Sequence, residues 1–108
     1  MIEQGDIITL PFDPARGHEQ KGRRPALVVS NNAYNEKTAF RVVVPISSTD
    51  RDFELYIPLD DRTKTRGKIL ADQMRTVDIL ARKAKKIERI PDDILDDVLE
   101  ILQATVER

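Results

Sequence analysis

The fold is decided by the segment FRVVVPIS, residues 40–47, and by the runs of similar character around it. Its β-branched side chains and short length predict a buried strand, which Pro45 is expected to end. ALVVS, residues 26–30, predicts a second buried strand, and DIITLPF, residues 6–12, alternates as a half-buried strand does. Because Pro11 cannot donate a ladder hydrogen bond, the run at 6–12 is placed at an edge or strand end.

Further β segments are predicted in the second half of the chain. FELYIPL, residues 53–59, alternates and predicts a strand, whereas residues 68–79 predict either two short strands or one bent strand. Residues 81–90 are ambiguous, and one interpretation is a helical turn followed by a short strand over residues 86–90. Between the strands, residues 31–38 predict a turn or a single helical turn.

The segment after Pro91 predicts an amphipathic helix of about fifteen residues. Pro91 suits a first-turn position, and Asp92 and Asp93 complement the amino-terminal end of the helix dipole. Apolar residues recur at helical spacing opposite an acidic face, so this helix is expected to cap the core. Five to seven short strands with one terminal helix predict a small antiparallel barrel or a strongly bent sheet.

Length and composition limit the classes of protein and site. The chain has 108 residues, which predicts one domain spanning residues 1–108. The absence of Cys excludes disulfides, a thiolate nucleophile and a Cys-based metal site, and a single His excludes a multi-His metal site within one chain. Apolar runs are too short for a membrane span and no signal peptide is visible, which predicts a cytoplasmic protein without a structural metal.

The net charge of −1 hides an uneven distribution along the chain. Residues 62–89 carry ten Lys or Arg against three Asp or Glu, a net of +7, between two acidic segments. This basic segment favours either a surface for a polyanion or acidic peptide, or a solvated face whose charges pair with the acidic helix.

A polar segment, residues 13–25, predicts a long loop that holds candidate groups for RNA cleavage. A His titrates near neutral pH and can transfer a proton, and an Arg can stabilise negative charge that develops at phosphorus. The ribose 2′-hydroxyl would supply the nucleophile, so neither a protein nucleophile nor a metal is required. The alternative is an ordinary charged surface loop. The candidates there are His18, Glu19, Gln20, Lys21, Arg23 and Arg24.

Two further groups of polar residues adjoin predicted strands. Ser47 and Ser48 follow Pro45, where hydroxyls can bind a phosphate oxygen or a 2′-hydroxyl, or simply cap the strand end. Asp72 lies three residues before Arg75, a spacing that fits either a structural ion pair or a carboxylate that orients a catalytic group. No hydrolase nucleophile elbow, P-loop, dinucleotide fingerprint or calcium loop is present.

Four stretches in combination resemble the PemK/MazF family of toxin endoribonucleases over essentially the whole chain. They are GDIITLPFDPARGHEQKGRRPALVVS at 5–30, YN at 34–35, VVVPIS at 42–47 and ADQMRTVD at 71–78. The resemblance implies an SH3-like barrel of the CcdB/PemK type with a carboxy-terminal helix, acting as a homodimer without a metal or other cofactor. It implies cleavage of single-stranded RNA at a short sequence, giving a 2′,3′-cyclic phosphate and a 5′-hydroxyl.

The same resemblance implies a cognate antitoxin of the MazE/PemI kind, whose acidic segment occupies the RNA groove. The toxin–antitoxin complex would bind operator DNA through the antitoxin, and no membrane partner is implied.

The family's functional residues map onto this sequence unevenly. The resemblance implies a charge-stabilising or general-acid role for Arg24 and a hydroxyl contact from Ser47. The PemK branch carries a catalytic Arg at the position of Leu70, so its absence here favours Arg24, with Arg75 as the second candidate. The remaining catalytic candidates are His18, Glu19 and Asp72, and the RNA-binding candidates are Arg16, Lys21, Arg23, Ser48, Phe53, Gln73 and Arg75.

Two other functions are alternatives to RNA cleavage. A non-catalytic gyrase poison of the CcdB kind acts through a last helix that ends in an aromatic residue, but this chain ends in TVER. A binding module or autorepressor would use the basic surface without turnover, and the presence of both Arg24 and Ser47 favours an active enzyme instead.

Overall fold

The computed structural model describes residues 1–11 and 22–108 of the chain. The described part contains seven strands, a one-turn helix and a long carboxy-terminal helix. The strands are β1 (Asp6–Pro11), β2 (Arg23–Val28), β3 (Phe40–Ser47), β4 (Tyr56–Pro58), β5 (Lys68–Leu70), β6 (Arg75–Asp78) and β7 (Lys85–Arg89), and the helices are α1 (Asn32–Asn35) and α2 (Asp92–Val106).

All paired strands of the described region are antiparallel. Their order across the sheet is β4-β5-β3-β2-β1-β7, and β6 also pairs with β3. The sheet is bent into an open barrel, and α2 follows the last strand. This arrangement confirms the predicted fold class of a small antiparallel β structure with a carboxy-terminal helix. No helix in the described ranges is long and apolar enough to cross a membrane.

The buried apolar residues form two clusters, one on each face of the sheet, because successive side chains of a strand point to opposite sides. In β1, Ile7 belongs to the cluster beneath α2, and Ile8 belongs to the other. Helix α2 contributes Ile94, Leu95, Val98 and Leu102 to the first cluster. The second cluster contains Ile8, Leu10, Ala26, Val28, Val43, Val77 and Ile79. The predicted helix and its role as a cap on the core are confirmed.

Strand β3 continues through Pro45 to Ser47, so the prediction that Pro45 ends this strand is wrong. Residues 40–43 of β3 pair with β6, whereas Ile46 and Ser47 pair with β5. Pro45 therefore lies where β3 exchanges one neighbour for another, and there its missing N–H is tolerated. This change of neighbour brings the connection between β5 and β6 beside Pro45.

Three other predicted boundaries also need correction. Strand β2 begins at Arg23, so the predicted loop over residues 13–25 ends earlier than expected. Strand β4 covers only Tyr56–Pro58 because the Tyr56 backbone N–H donates to the carbonyl of Phe53, 2.9 Å away, and closes a turn. Residues 68–79 form two separate strands, and β7 begins at Lys85 after a turn.

Glu88 joins the edge strand β7 to the loop between β4 and β5. It extends from β7 to the loop between β4 and β5, where it accepts hydrogen bonds from the backbone N–H groups of Lys64 and Thr65 and from the Thr65 hydroxyl, at 2.8–3.1 Å. Arg62 of the same loop forms ion pairs with Asp60 and, on α2, with Asp93. The loop is thereby attached to both β7 and α2.

Neutralising Glu88 is expected to destabilise the protein in a pH-dependent way. Burial tends to raise the pKa of Glu88, but the three hydrogen bonds outweigh it and hold the pKa below its ordinary value of 4.5. Because the folded-state pKa is lowered, this stabilisation is complete above the ordinary value and disappears as pH falls through the folded-state pKa. Glu88→Gln should lower the free energy of unfolding by about 1 kcal/mol near neutral pH.

The measurement is urea unfolding of wild type and Glu88→Gln at neutral pH and at about pH 3. The stability difference should shrink at the acidic pH. The matched control is Glu100→Gln on the exposed side of α2, which should change stability little at either pH. An equal loss for Glu88→Gln at both pH values would contradict this account.

Candidate active site

An open depression on the sheet surface collects several of the predicted site residues. It has a volume of about 390 Å³ and is lined by Arg24, Pro45, Gln73, Met74 and Arg75. These residues come from the start of β2, from β3 at Pro45, and from the connection from β5 into β6. The change of partner along β3 explains the convergence, since it brings the β5–β6 connection beside Pro45.

Arg24 lies at the rim of the depression with an exposed side chain. It is opposite Leu10 in the β1–β2 register, and the alternation of β2 places it on the same face as Ala26. Leu10 and Ala26 are fully buried in the second apolar cluster. The guanidinium therefore stands at the edge of a rigid apolar base, which limits the conformations available to its stem.

The adjacent residue, Arg23, has a different environment. Its Nη2 donates to the carbonyl oxygen of Thr9 at 2.8 Å and to that of Lys83 at 3.0 Å. These contacts tie β2 to β1 and to the turn before β7. Because neighbouring residues of a strand face opposite sides, Arg23 and Arg24 serve different surfaces.

Ser47 falls opposite Arg24 when the β2–β3 register is extended beyond its last pair. Ala26 and Pro45 are the last paired positions of β2 and β3, and two residues farther along each strand are Arg24 and Ser47. Both side chains lie on the face that contains Ala26 and Pro45. Ser47 is half-buried and Ser48 is exposed.

Asp72 and Gln73 belong to a tight turn after β5. The Gln73 backbone N–H donates to the carbonyl of Leu70 at 3.1 Å, and Asp72 is exposed within the turn. Gln73 lines the depression, and its Nε2 lies 3.4 Å from the hydroxyl oxygen of Tyr56. Arg75 begins β6 opposite Val43 and also lines the depression.

Phe53, a predicted RNA-binding residue, belongs to an aromatic cluster that the sequence did not predict. Its ring contacts Tyr56 edge to face, with centroids 5.1 Å apart and planes at 88°. The guanidinium carbon of Arg51 lies 5.4 Å from the Phe53 centroid and 5.9 Å from that of Tyr56. Aromatic residues three positions apart were the available signal, but the predicted strand would have placed them on opposite faces.

Five candidate residues lie outside the described residues: Arg16, His18, Glu19, Gln20 and Lys21. Their roles stay predictions. The described flanks of this segment are close together, since Pro11 and Arg23 are opposite each other in the β1–β2 register. Within residues 1–11 and 22–108, no group of three or more His, Asp or Glu side chains is arranged to hold a metal ion.

The chemistry of the depression suits a polyanion with polar groups along its chain. Arg24 and Arg75 present two guanidinium groups, which bind phosphate oxygens through paired N–H donors. The Gln73 side-chain amide adds both a donor and an acceptor. An open, exposed depression of this kind admits an extended strand.

Comparisons with known proteins agree with this chemistry. Residues 3–106 match the model of the PemK-like, MazF-like toxin of type II toxin–antitoxin systems. The chain is 40% identical to endoribonuclease PemK of Escherichia coli over 102 residues, which cover 91% of this chain and 77% of PemK. It is also 40% identical to endoribonuclease toxin ChpB of E. coli K12 over 112 aligned positions, which cover 98% of this chain and 95% of ChpB.

Solved structures of similar fold include toxins alone and in complex. MazF of Deinococcus radiodurans superposes with a TM-score of 0.85 at 34% identity, covering 99% of this chain and 97% of that one. A chain from a MazE–MazF complex of the same organism has a TM-score of 0.87 at 31% identity, covering 97% and 95% of the two chains.

Proposed function

The chain belongs to the PemK-like, MazF-like family of toxins of type II toxin–antitoxin systems, and from this premise we propose that it is an endoribonuclease that cleaves single-stranded RNA. Its relatives PemK, ChpB and MazF are endoribonucleases. The gyrase-poison alternative is not favoured. Cleavage of messenger RNA at a short sequence would stop translation and growth.

The observation that carries the proposal is the pair of guanidinium groups, Arg24 and Arg75, around an open depression that Pro45 also lines, two residues before Ser47. In the proposed reaction the ribose 2′-oxygen attacks the adjacent phosphorus while the bond from phosphorus to the 5′-oxygen breaks. Negative charge grows on the non-bridging oxygens, and Arg24 stabilises it. Ser47 donates a hydrogen bond to a phosphate oxygen or binds the 2′-hydroxyl.

Two proton transfers complete the reaction. A base accepts the proton of the 2′-hydroxyl, and an acid donates a proton to the departing 5′-oxygen, which leaves a 2′,3′-cyclic phosphate and a 5′-hydroxyl. The candidates for these roles are His18, Glu19 and Asp72, with Arg24 or Arg75 as an alternative donor. The RNA strand would be held by Arg16, Lys21, Ser48, Phe53, Gln73 and Arg75. Arg23, the remaining RNA-binding candidate, faces the other side of β2 and donates from Nη2 to backbone carbonyls, so it would support β2 rather than bind the RNA.

Primer extension on a long RNA incubated with pure protein and EDTA tests this function. Discrete stops at one recurring short sequence are expected with and without EDTA, because the nucleophile belongs to the RNA and no metal is needed. Arg24→Ala protein purified in the same way controls for contaminating nucleases and should give far weaker stops after the same incubation. An RNA that remains intact, or stops that vanish with EDTA, would contradict the proposal.

The partners of the chain follow from its family. Solved neighbours include MazE–MazF complexes and a mycobacterial endoribonuclease with its cognate antitoxin. We propose a cytoplasmic homodimer that a cognate antitoxin inhibits, with the complex binding operator DNA through the antitoxin. Size-exclusion chromatography with light scattering tests the dimer, and a mass of about 12 kDa at all concentrations would contradict it.

A further inference from the structure

A compact group of rings and a guanidinium lies next to the depression. We call Arg51, Phe53 and Tyr56 the aromatic platform. The Phe53 and Tyr56 rings meet edge to face at 5.1 Å, and the Arg51 guanidinium carbon lies within 5.9 Å of both ring centroids. Phe53 keeps 36% of its surface exposed, so part of its ring is accessible to a ligand.

Hydrogen bonds and an ion pair hold the aromatic platform in one arrangement. The hydrogen bond from the Tyr56 N–H to the Phe53 carbonyl closes the turn that brings the two rings together. Lys68 of β5 donates from Nζ to the carbonyl of Arg51 at 2.8 Å and pairs with Asp52 at 3.2 Å. The platform is therefore preorganised, and a ligand that stacks on it need not order these side chains first.

Gln73 connects the platform to the depression. Its side chain lines the depression with Arg24 and also lies 3.4 Å from the Tyr56 hydroxyl. A strand whose phosphate contacts Arg24 could therefore place a neighbouring base over the platform. The Gln73 amide and the Tyr56 hydroxyl would then meet the hydrogen-bonding edge of that base.

We propose that the aromatic platform is a nucleobase-stacking subsite that holds one base flanking the scissile phosphate. This inference rests on the proposed RNA cleavage and adds Arg51 and Tyr56 to the residues that contact the RNA. Aromatic rings and Arg guanidinium planes stack on bases of single-stranded RNA, and adjacent polar groups read the base edges. An apolar peptide side chain would instead favour a concave apolar pocket, whereas this surface presents an exposed aromatic ring, a cation and an amide.

Abasic substitution tests the subsite directly. The ligand is an RNA oligonucleotide that contains the mapped cleavage site, made uncleavable by a 2′-deoxy sugar at the reacting nucleotide. Bases are removed one at a time, and affinity is measured by fluorescence anisotropy for wild type and Phe53→Leu. For wild type, loss of one flanking base should weaken binding roughly 10-fold.

Phe53→Leu should bind the complete oligonucleotide roughly 10-fold more weakly and show no further loss when that same base is absent. Phe53→Trp retains a ring and should restore the wild-type pattern. Phe40→Leu is the matched control, since Phe40 is 46% exposed and lies at the other end of β3 from Ser47. This variant should leave the affinity and the abasic pattern unchanged. Tyr56→Phe should change the ranking of the four bases at this position and retain the stacking effect.

Additive losses from Phe53→Leu and the abasic site would overturn the proposal. So would a Phe53→Leu protein that loses affinity for an acidic antitoxin peptide with an unchanged RNA pattern, because the platform would then be a protein contact. Failure of the proposed function gives a different result, since wild type would then leave the cleavable parent RNA intact.

Discussion

Arg24→Ala is expected to lower kcat for RNA cleavage about 100- to 1,000-fold, with a smaller change in KM. The guanidinium is placed to meet charge that develops on the phosphate oxygens in the transition state. An interaction made mainly in the transition state lowers kcat when it is removed. Single-turnover cleavage of a short RNA that contains one mapped site measures this effect.

The same assay needs two companion variants. Arg24→Lys retains the charge without the paired donors and should recover only part of the activity. Arg66→Ala removes the same charge from the exposed loop between β4 and β5, outside the depression, and should cleave at nearly the wild-type rate. If Arg24→Ala cleaves as fast as Arg66→Ala, the charge-stabilising role belongs to another residue, for which Arg75 is the second candidate.

Gly67→Ala is expected to lower the free energy of unfolding by about 2–4 kcal/mol. Gly67 has a φ of +122°, a conformation that residues with a Cβ rarely adopt. A Cβ at this position would lie 2.4 Å from the carbonyl oxygen of Ser47. The end of β3 would have to move, so cleavage should fall along with stability, because Ser47 would shift from Arg24.

Thermal unfolding followed by circular dichroism measures this loss, with a fall in Tm of roughly 4–8 °C expected for each kcal/mol. The chain offers a matched control in Gly22, where an added Cβ meets no atom of residues 1–11 or 22–108 within 4 Å. Gly22→Ala should change stability by less than about 1 kcal/mol. If Gly67→Ala were as stable as Gly22→Ala, the backbone of β3 at Ser47 could move away from the added Cβ at no cost in stability, which would contradict this prediction.

The fold could be predicted well wherever one segment carries its own periodicity. Helix α2 and the core of β3 follow from apolar spacing within a few residues. The start of β4 could not be predicted. Residues 53–59 alternate as a strand does, but the hydrogen bond from the Tyr56 N–H to the Phe53 carbonyl folds the first of them into a turn. The attachment of Glu88 to the β4–β5 loop depends on residues more than twenty positions away, which no local pattern contains.

The candidate site was predictable in its residues but not in their arrangement. Family resemblance identified Arg24, Gln73 and Arg75, and the structure brings these three around one depression. Arg23 was predicted to bind RNA beside the catalytic candidate Arg24, whereas the alternation of β2 directs the Arg23 guanidinium to backbone carbonyls of Thr9 and Lys83. The two arginines differ because alternate side chains of a strand face opposite sides, and residue type alone does not show which side each one faces.

The central claim is that the RNA supplies its own nucleophile while Arg24 stabilises the charge at phosphorus. Mass spectrometry of the products from an RNA with one cleavage site tests it most directly. One product should carry a 2′,3′-cyclic phosphate and the other a 5′-hydroxyl, and an RNA whose reacting nucleotide carries a 2′-deoxy sugar should not be cleaved. A 5′-phosphate with a free 3′-hydroxyl, or cleavage of the deoxy-substituted strand, would contradict it.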